Sequence, residues 1–138
     1  MSNASAKLMF ELVVETRRKE ELLDITPLVQ RATAEAGSSG KACMVFSPHT
    51  TAGITINEHA DPAVAGDFLA ALGHVVPEGQ PWQHLEGNSP AHVKVSIVGS
   101  SVLVGLEDGE LTLGTWQGIF FCEFDGPRTR KVWLEILS

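Results

Sequence analysis

The sequence predicts an α+β fold in which mostly antiparallel sheets carry two to three helices packed on them. Segments rich in β-branched and aromatic residues outnumber helical ones. Several neighbouring segments are joined by turns too short for a crossover helix, which favours antiparallel pairing. The 138 residues suit one domain with one core. We therefore place a single domain at residues 8–138 and treat residues 1–7 as a disordered terminus or a cloning remnant.

The first half of the chain predicts three strands and two helices. "LMFELVVET" is apolar and β-branched, as a first strand should be. "DITPLVQRATAEAG" predicts a helix capped by Thr26, with Pro27 at the first helical position and Gly37 at its end. "KACMVFS" and "TAGITIN" predict the second and third strands. "DPAVAGDFLAALGHVV" has helical spacing, with Val64, Phe68 and Leu72 on one stripe.

The second half predicts a loop, a short helix, a hairpin and two closing strands. "PEGQPWQHLEGN" is a loop rich in glycine and proline. "SPAHVKVSIVG" has the β-branched residues of a strand, but Ser89-Pro90 is a helix start signal, and we assign a short helix. "SVLVGLEDGELTLGTW" predicts a hairpin turning at Asp108-Gly109. "GIFFCEFDG" and "KVWLEIL" predict strands separated by a turn at Gly126-Pro127.

Composition narrows the classes of partner and the compartment. The formal net charge of −7 argues against broad nucleic-acid binding, which needs Lys and Arg for phosphate neutralisation. Arg128, Arg130 and Lys131 nevertheless cluster and leave a local anion site open. No apolar run approaches the roughly 20 residues of a membrane helix. No secretion signal is recognisable, so we expect a cytoplasmic protein. Cys43 and Cys122 lie in apolar runs and are expected to be reduced core residues.

The stretch "SPHTTAGITINE" carries more polar groups than a core strand needs. In an extended strand Thr51 and Asn57 share a face with Gly53 and Thr55, whereas Ala52, Ile54 and Ile56 form the core face. The polar row is typical either of a solvated sheet face or of a ligand-binding surface. His49 stands at the start of this strand, on a connection of the kind where site residues gather.

Three of the five histidines lie in or beside polar connections. If His49, His84 and His92 converge, they can bind a divalent metal such as zinc and leave a position open for water or substrate. The spacing matches no HExxH or Cys-x-x-Cys motif, and the alternative is three separate hydrogen-bonded surface residues. His59 and His74 are interpreted as surface or packing residues.

"TWQGIFFCEFDGPRTR" is the second segment that suggests chemistry. If it is extended, one face carries Gln117, Ile119, Phe121, Glu123 and Asp125, and the other carries Trp116, Phe120, Cys122 and Phe124. The neighbouring carboxylates Glu123 and Asp125 can then raise one pKa for acid–base work. The alternative is that both carboxylates are exposed strand ends, or that Asp125 braces the turn. Arg128 and Arg130 also alternate onto one side, where their planar forks match phosphate; solvated surface arginines are the alternative.

Three blocks in this order, "HTTAGITINEHADP", "HLEGNSPAHVKVSIVGSS" and "LTLGTWQGIFFCEFDGPRTR", resemble the YjbQ family, whose members are described as secondary thiamine-phosphate synthase enzymes. The resemblance covers roughly residues 8–137. It implies a compact single-domain sandwich, homotrimers, and a pocket near the subunit contacts that in some relatives holds a metal among histidines. By residue matching it implies these site residues: His49, Asn57, Glu58, His84, His92, Gln117, Glu123, Arg128 and Arg130.

Two functions follow from the residues and the resemblance together. One is an enzyme with weak thiamine-phosphate synthase activity, acting on small phosphorylated compounds either as a transferase or as a metal-assisted hydrolase. The other is a non-catalytic trimer that binds a metal or a phosphorylated metabolite. We assign the catalytic roles to His49, Glu123, Gln117, Asn57 and Glu58. Ligand binding is assigned to Arg128, Arg130, Thr51 and Trp116, and metal binding to His49, His84 and His92.

Overall fold

The computed structural model describes residues 9–37 and 39–138. The terminal segment 1–7 therefore lies outside the described residues. Within the described part the chain forms three helices and eight strands. The helices are α1 (Thr26–Ala36), α2 (Pro62–Val75) and α3 (Ser89–Val98). The strands are β1 (Met9–Glu15), β2 (Glu21–Asp24), β3 (Ala42–Phe46), β4 (Ala52–Glu58), β5 (Ser101–Glu107), β6 (Glu110–Leu111), β7 (Gln117–Glu123) and β8 (Thr129–Leu137).

The strands form two sheets, and every strand pair is antiparallel. The larger sheet has the order β1-β8-β3-β5-β6, and the smaller has the order β2-β7-β4. The predicted α+β fold with largely antiparallel sheets is thus confirmed. The turn at Gly126-Pro127 connects the two sheets, because β7 belongs to the small sheet and β8 to the large one.

Strand β7 is the middle of a layered core because it buries both of its faces. Ile119 and Phe121 point into the main core, which the large sheet and α1 complete. Cys122 and the following Phe124 point the other way, against α2 and α3. The alternation predicted for this segment is confirmed, and it places the small sheet between the large sheet and the two helices.

The hairpin prediction is confirmed at its turn. Asp108 and Gly109 have φ angles of 52° and 80°, so both central residues lie in the left-handed region. A type I′ turn needs that geometry, and the glycine at its second central position adopts a positive φ angle without steric strain. Strands β5 and β6 pair directly through Leu106 and Leu111.

Two local predictions are corrected at the start of α1. The helix begins at Thr26, so Ile25 rather than Thr26 occupies the capping position, and Pro27 is the second helical residue rather than the first. The Thr26 hydroxyl instead donates to Asp24 Oδ1 at 2.6 Å and accepts from the Ile119 amide at 2.8 Å. Strand β2, with the sequence ELLD, was not predicted, because its four residues follow a charged run and show no alternation.

Helix α3, predicted from Ser89-Pro90, lies directly on the start of β4. A Cβ atom on Gly53 would sit 2.5 Å from the Gly99 carbonyl oxygen, so only glycine permits this approach. The Ile54 amide donates to the same carbonyl at 3.1 Å. The polar face of β4 is therefore covered at its beginning, and it opens to solvent at Asn57.

Both cysteines are buried thiols, as the sequence predicted. Burial raises the pKa of Cys43 to about 11 and that of Cys122 to about 12. Neither thiol will form the reactive thiolate near neutral pH. Among the described residues, none of the helices has the length and apolar character that crossing a membrane requires.

Candidate functional site: a polar cleft at the start of helix α3

A cleft of about 310 Å³ opens where three connections meet. These are the β3–β4 connection, the loop that leads into α3, and the β7–β8 turn with the first residues of β8. An adjoining cleft of about 360 Å³ shares His49, Thr50 and His92 with it. The residues that line the first cleft are Pro48, His49, Thr50, Thr51, Glu86, Asn88, His92, Arg128 and Arg130.

A buried ion pair forms the base of this region. Glu123 is fully buried and Arg130 is 3% exposed. Arg130 donates from Nε to Glu123 Oε1 at 2.8 Å and from Nη2 to Oε2. It also donates to the Thr51 hydroxyl at 2.9 Å, and the Thr16 hydroxyl donates to Glu123. Glu123 thus occupies the guanidinium fork that the sequence analysis had assigned to phosphate.

Glu123 is held in the ionised state. Burial alone would raise its pKa, but hydrogen bonds from Arg130, the Asp125 amide and Thr16 outweigh burial and lower the pKa. The prediction that neighbouring carboxylates raise one pKa is wrong for Glu123, because Asp125 meets it through a backbone N–H rather than a second charge. Glu123 therefore serves to position Arg130 and is a poor general base.

Arg128 is the accessible cation of the cleft. Its side chain is 51% exposed, and it donates from Nε to the Asp125 carbonyl and from Nη2 to Asp125 Oδ2. These two bonds leave the Nη1 edge without a hydrogen bond to any described residue. The predicted alternative that Asp125 braces the turn is also correct, since it fixes Arg128 there. Arg128 is therefore oriented by the protein and still able to bind an anion.

His49 is held by a backbone hydrogen bond. The Lys131 amide donates to its Nε2 at 2.9 Å. Burial, and next the positive charge of Arg130, lower the pKa of His49. A neutral imidazole that accepts at Nε2 carries its proton on Nδ1. His49 thus offers an N–H donor, and a metal could reach Nε2 only if the bond to Lys131 broke.

His84 and His92 are neighbours at the entrance to α3. Their ring centroids are 5.0 Å apart in an edge-to-face arrangement, and His84 Nε2 lies 3.1 Å from Glu86 Oε1. His92 faces His49 across the shared cleft, but His84 does not line it. Across residues 9–37 and 39–138, no three His, Cys, Asp or Glu side chains are arranged to hold a metal ion. As placed, these histidines do not fit a metal, and the metal stays a prediction.

Two buried polar atoms in this region have no partner among the described residues. They are Asn88 Oδ1 and His92 Nε2. Asn88 donates from Nδ2 to Asp125 Oδ2 at 2.9 Å, the same oxygen that Arg128 binds. Sequence reasoning missed Asn88, although its position just before the Ser89-Pro90 start signal places it at the mouth of a helix.

Four predicted site residues lie elsewhere. Asn57 and Glu58 end β4, and Trp116 and Gln117 stand at the start of β7. The register pairs Glu58 with Gln117 at this end and Ala52 with Glu123 at the other. Six residues of extended strand separate the two ends by about 20 Å. One chain therefore does not bring these four residues to the cleft.

The far end has a polar pair of its own. His59 Nδ1 lies 3.0 Å from Asp24 Oδ2, and both side chains are about one-third exposed. Burial alone would raise the pKa of Asp24, but hydrogen bonds from Thr26 and His59 lower it below its ordinary value. The interpretation of His59 as a surface or packing residue fits this partly exposed polar contact.

Comparison with known proteins decides the family. The profile described as "UPF0047 protein YjbQ-like" matches residues 10–138. The chain belongs to the YjbQ-like UPF0047 family. It is 48% identical over 132 residues to UPF0047 protein MJ1081 of Methanocaldococcus jannaschii, covering 96% of each chain. It is 49% identical over 128 residues to UPF0047 protein YugU of Bacillus subtilis, covering 92% of this chain and 97% of the relative.

Solved structures of YjbQ-like proteins share the fold. A Clostridium acetobutylicum protein of the YjbQ/UPF0047 family, described as an orthologue of YugU, superposes with a TM-score of 0.90 at 52% identity. That match covers 93% of this chain and 99% of the other. The hypothetical protein APE1520 of Aeropyrum pernix superposes with a TM-score of 0.89 at 36% identity, covering 94% and 98%. The YjbQ-like resemblance inferred from the three sequence blocks is confirmed.

Proposed function

We propose that this YjbQ-like protein is an enzyme acting on small phosphorylated compounds in the cleft at the start of α3. One observation carries the proposal: the oriented cation Arg128 and the N–H donor of His49 line the same cleft. Its volume of about 310 Å³ lies at the lower end of small-molecule pockets.

Each residue that lines the cleft has a separate role in the proposed reaction. The free edge of Arg128 binds phosphate oxygens, and Arg130, whose charge Glu123 neutralises, forms the base of the cleft. His49 donates from Nδ1 to an oxygen on which negative charge develops, since preorganised donors of this kind stabilise transition states. His92, which lines the same cleft, accepts the proton of the attacking group. Thr51 holds Arg130 in place.

The reaction class favoured here is hydrolysis or transfer at a phosphorylated carbon or phosphorus centre. Weak thiamine-phosphate synthase activity is one such reaction, in which a pyrimidine diphosphate joins a thiazole phosphate and pyrophosphate leaves. Pyrophosphate transfer usually relies on Mg²⁺ held by carboxylates, whereas imidazoles suit zinc. Thiamine phosphate is thus proposed as a side product of a cleft suited to smaller phosphate esters. No step of this mechanism passes through a metal.

The second candidate is a non-catalytic homotrimer that binds a phosphorylated metabolite or a metal. The large sheet supports it through an apolar face turned away from the core. Leu103 is 66% exposed on this face, and Trp133 is 41% exposed. Met9, Val13 and Leu137 are exposed on the same side. Copies of the chain could cover such a face, and a contact between subunits could bring the far-end residues Trp116 and Gln117 to a neighbour's cleft. With reduced buried thiols, we propose a cytoplasmic location for either form.

Phosphate binding gives the first test. We expect Arg128→Ala to weaken the binding of inorganic phosphate roughly tenfold, because a charge-assisted hydrogen bond is lost. Lys131→Ala is the matched control, since Lys131 bonds His49 through its backbone amide and its side chain lies against Glu11, 3.6 Å from Oε1. Isothermal calorimetry gives both constants. Equal losses in the two variants would remove Arg128 from the proposal.

Turnover separates the two candidate functions. With the pyrimidine diphosphate and the thiazole phosphate as substrates, we expect slow formation of thiamine phosphate, lowered roughly 100-fold in His92→Ala. His74→Ala, at the end of α2, is the control and should keep full activity. Absence of product in the wild type, with phosphate binding intact, would favour the binding protein over the enzyme.

Metal content tests the predicted divalent cofactor. If zinc binds as the sequence predicts, His84 must turn from Glu86 and His49 must release the Lys131 amide. We expect His49→Ala and His84→Ala each to lower the zinc content of protein loaded with zinc, whereas His74→Ala leaves it unchanged. Elemental analysis with circular dichroism as a folding check measures this. Unchanged stoichiometry in both variants would remove them as ligands.

A further inference from the structure

Asn88 Oδ1 and His92 Nε2 form an unsatisfied pair on one wall of the cleft. Asn88 is the capping residue of α3, His92 lies one turn into the helix, and both line the cleft. Each atom is buried and lacks a hydrogen bond to any described residue. A buried polar atom left in this condition costs about 1–3 kcal/mol. A ligand that pairs with these atoms therefore gains affinity by relieving that cost.

The orientation of the Asn88 amide determines what it can bind. Its Nδ2 donates to Asp125 Oδ2, so the opposite atom, Oδ1, is an acceptor and needs a hydrogen-bond donor. Asp125 Oδ2 also receives the Arg128 guanidinium, which places the cation and the amide side by side. An anion without a hydrogen to donate cannot satisfy this wall, because it would bring an oxygen acceptor against another acceptor.

A hydroxyl group matches the pair better than other small groups. It donates one hydrogen bond and accepts another, so it can donate to Asn88 Oδ1 and accept from His92 in the tautomer that carries its hydrogen on Nε2. Both atoms are closed to solvent in the free protein, so a ligand reaches them only if the Asn88 and His92 side chains turn toward the cleft. The Asn88 amide lies close to the Arg128 guanidinium, because both groups donate to the same oxygen, Asp125 Oδ2.

We propose that the cleft selects phosphate monoesters carrying a hydroxyl near the phosphate, with Asn88 and His92 as the residues that recognise this hydroxyl. This inference rests on the proposed function, since it assumes that Arg128 binds the phosphate. It adds a substrate class: small hydroxylated phosphate monoesters rather than simple alkyl phosphates.

Two probes of nearly equal size test the inference. sn-Glycerol 3-phosphate and propyl phosphate share a three-carbon chain and a phosphate, and only the former carries hydroxyls. We expect calorimetry on the full chain to give roughly tenfold tighter binding of glycerol 3-phosphate, the effect of about one buried hydrogen bond. In Asn88→Ala the preference should fall to about twofold or less, with propyl phosphate bound nearly as well as by the wild type.

The controls keep the outcomes separate. Gln80→Ala removes an exposed amide side chain that does not line the cleft and should retain the full preference. His92→Phe keeps a ring of similar shape without Nε2 and serves as the second variant if Asn88→Ala does not fold. Equal affinity of the wild type for both probes overturns the inference but leaves phosphate binding intact. A preference that survives in both variants overturns it too, and absence of binding by either probe refutes the proposed function itself.

Discussion

Replacing Arg130 by methionine lowers the free energy of unfolding by roughly 3–5 kcal/mol. The variant leaves the fully buried Glu123 carboxylate without the two guanidinium hydrogen bonds that hold it. A buried charge without its partner is among the most destabilising states in a protein interior. Urea unfolding, followed by circular dichroism, measures the change.

Two further variants isolate the cause of that loss. Arg128→Met removes an arginine from a half-exposed ion pair and should cost about 1 kcal/mol or less. The double variant Glu123→Leu, Arg130→Met removes both charges and should recover much of the stability, because apolar residues can replace a buried pair. An Arg130→Met variant no less stable than Arg128→Met would show that Glu123 is not held as the structure indicates.

The same pair gives stability a defined pH dependence. The folded pKa of Glu123 lies below its ordinary value of 4.5, so the unfolded chain binds a proton more readily than the folded one. This contribution to stability is fully present above the unfolded pKa. It is lost as the pH falls below about 4.5 and through the folded pKa. In Arg130→Met this acid-side decline should be smaller, because the lowering of the pKa depends largely on Arg130.

The fold was largely predictable because its signals are local. The Asp108-Gly109 turn, the Ser89-Pro90 helix start and the alternation around Phe121 each depend on a few adjacent residues, and each prediction is confirmed. Strand β2 was not predicted, because its pairing with β7 is a tertiary contact and its sequence lacks a periodic pattern. Thr26 was misassigned as a cap because its hydroxyl is used by Asp24 and by the distant Ile119 amide.

The sequence predicted several of the residues that line the candidate site, but it did not predict which groups they bind. His49, His92 and Arg128 do line one cleft. Alternation correctly set Arg130 on the same side, but it could not reveal that Glu123 occupies the guanidinium fork. Sequence spacing also could not show that Glu58 and Gln117 lie far from the cleft, because that distance follows from the register of β4 against β7. The partners of a side chain depend on contacts between distant segments, which no local pattern encodes.

Replacing Gly53 by alanine is expected to destabilise the protein by about 1–3 kcal/mol, the range for inserting a methyl group into a packed interior. The new Cβ would lie 2.5 Å from the Gly99 carbonyl oxygen. Backbone stands on both sides of this contact, so no flexible side chain can move aside. The end of α3 must therefore shift from β4, and the hydrogen bond from the Ile54 amide to Gly99 weakens.

Gly66→Ala is the matched control for this substitution. Gly66 lies inside α2, and a Cβ there meets no described atom within 4 Å. The same change should stabilise the protein by roughly 0.5–1 kcal/mol, since alanine is the better helix former. Opposite signs at the two glycines, measured by urea unfolding, would confirm that β4 and α3 meet through backbone. If Gly53→Ala were as stable as the wild type, α3 would not be fixed by β4, and the cleft it borders would be adjustable.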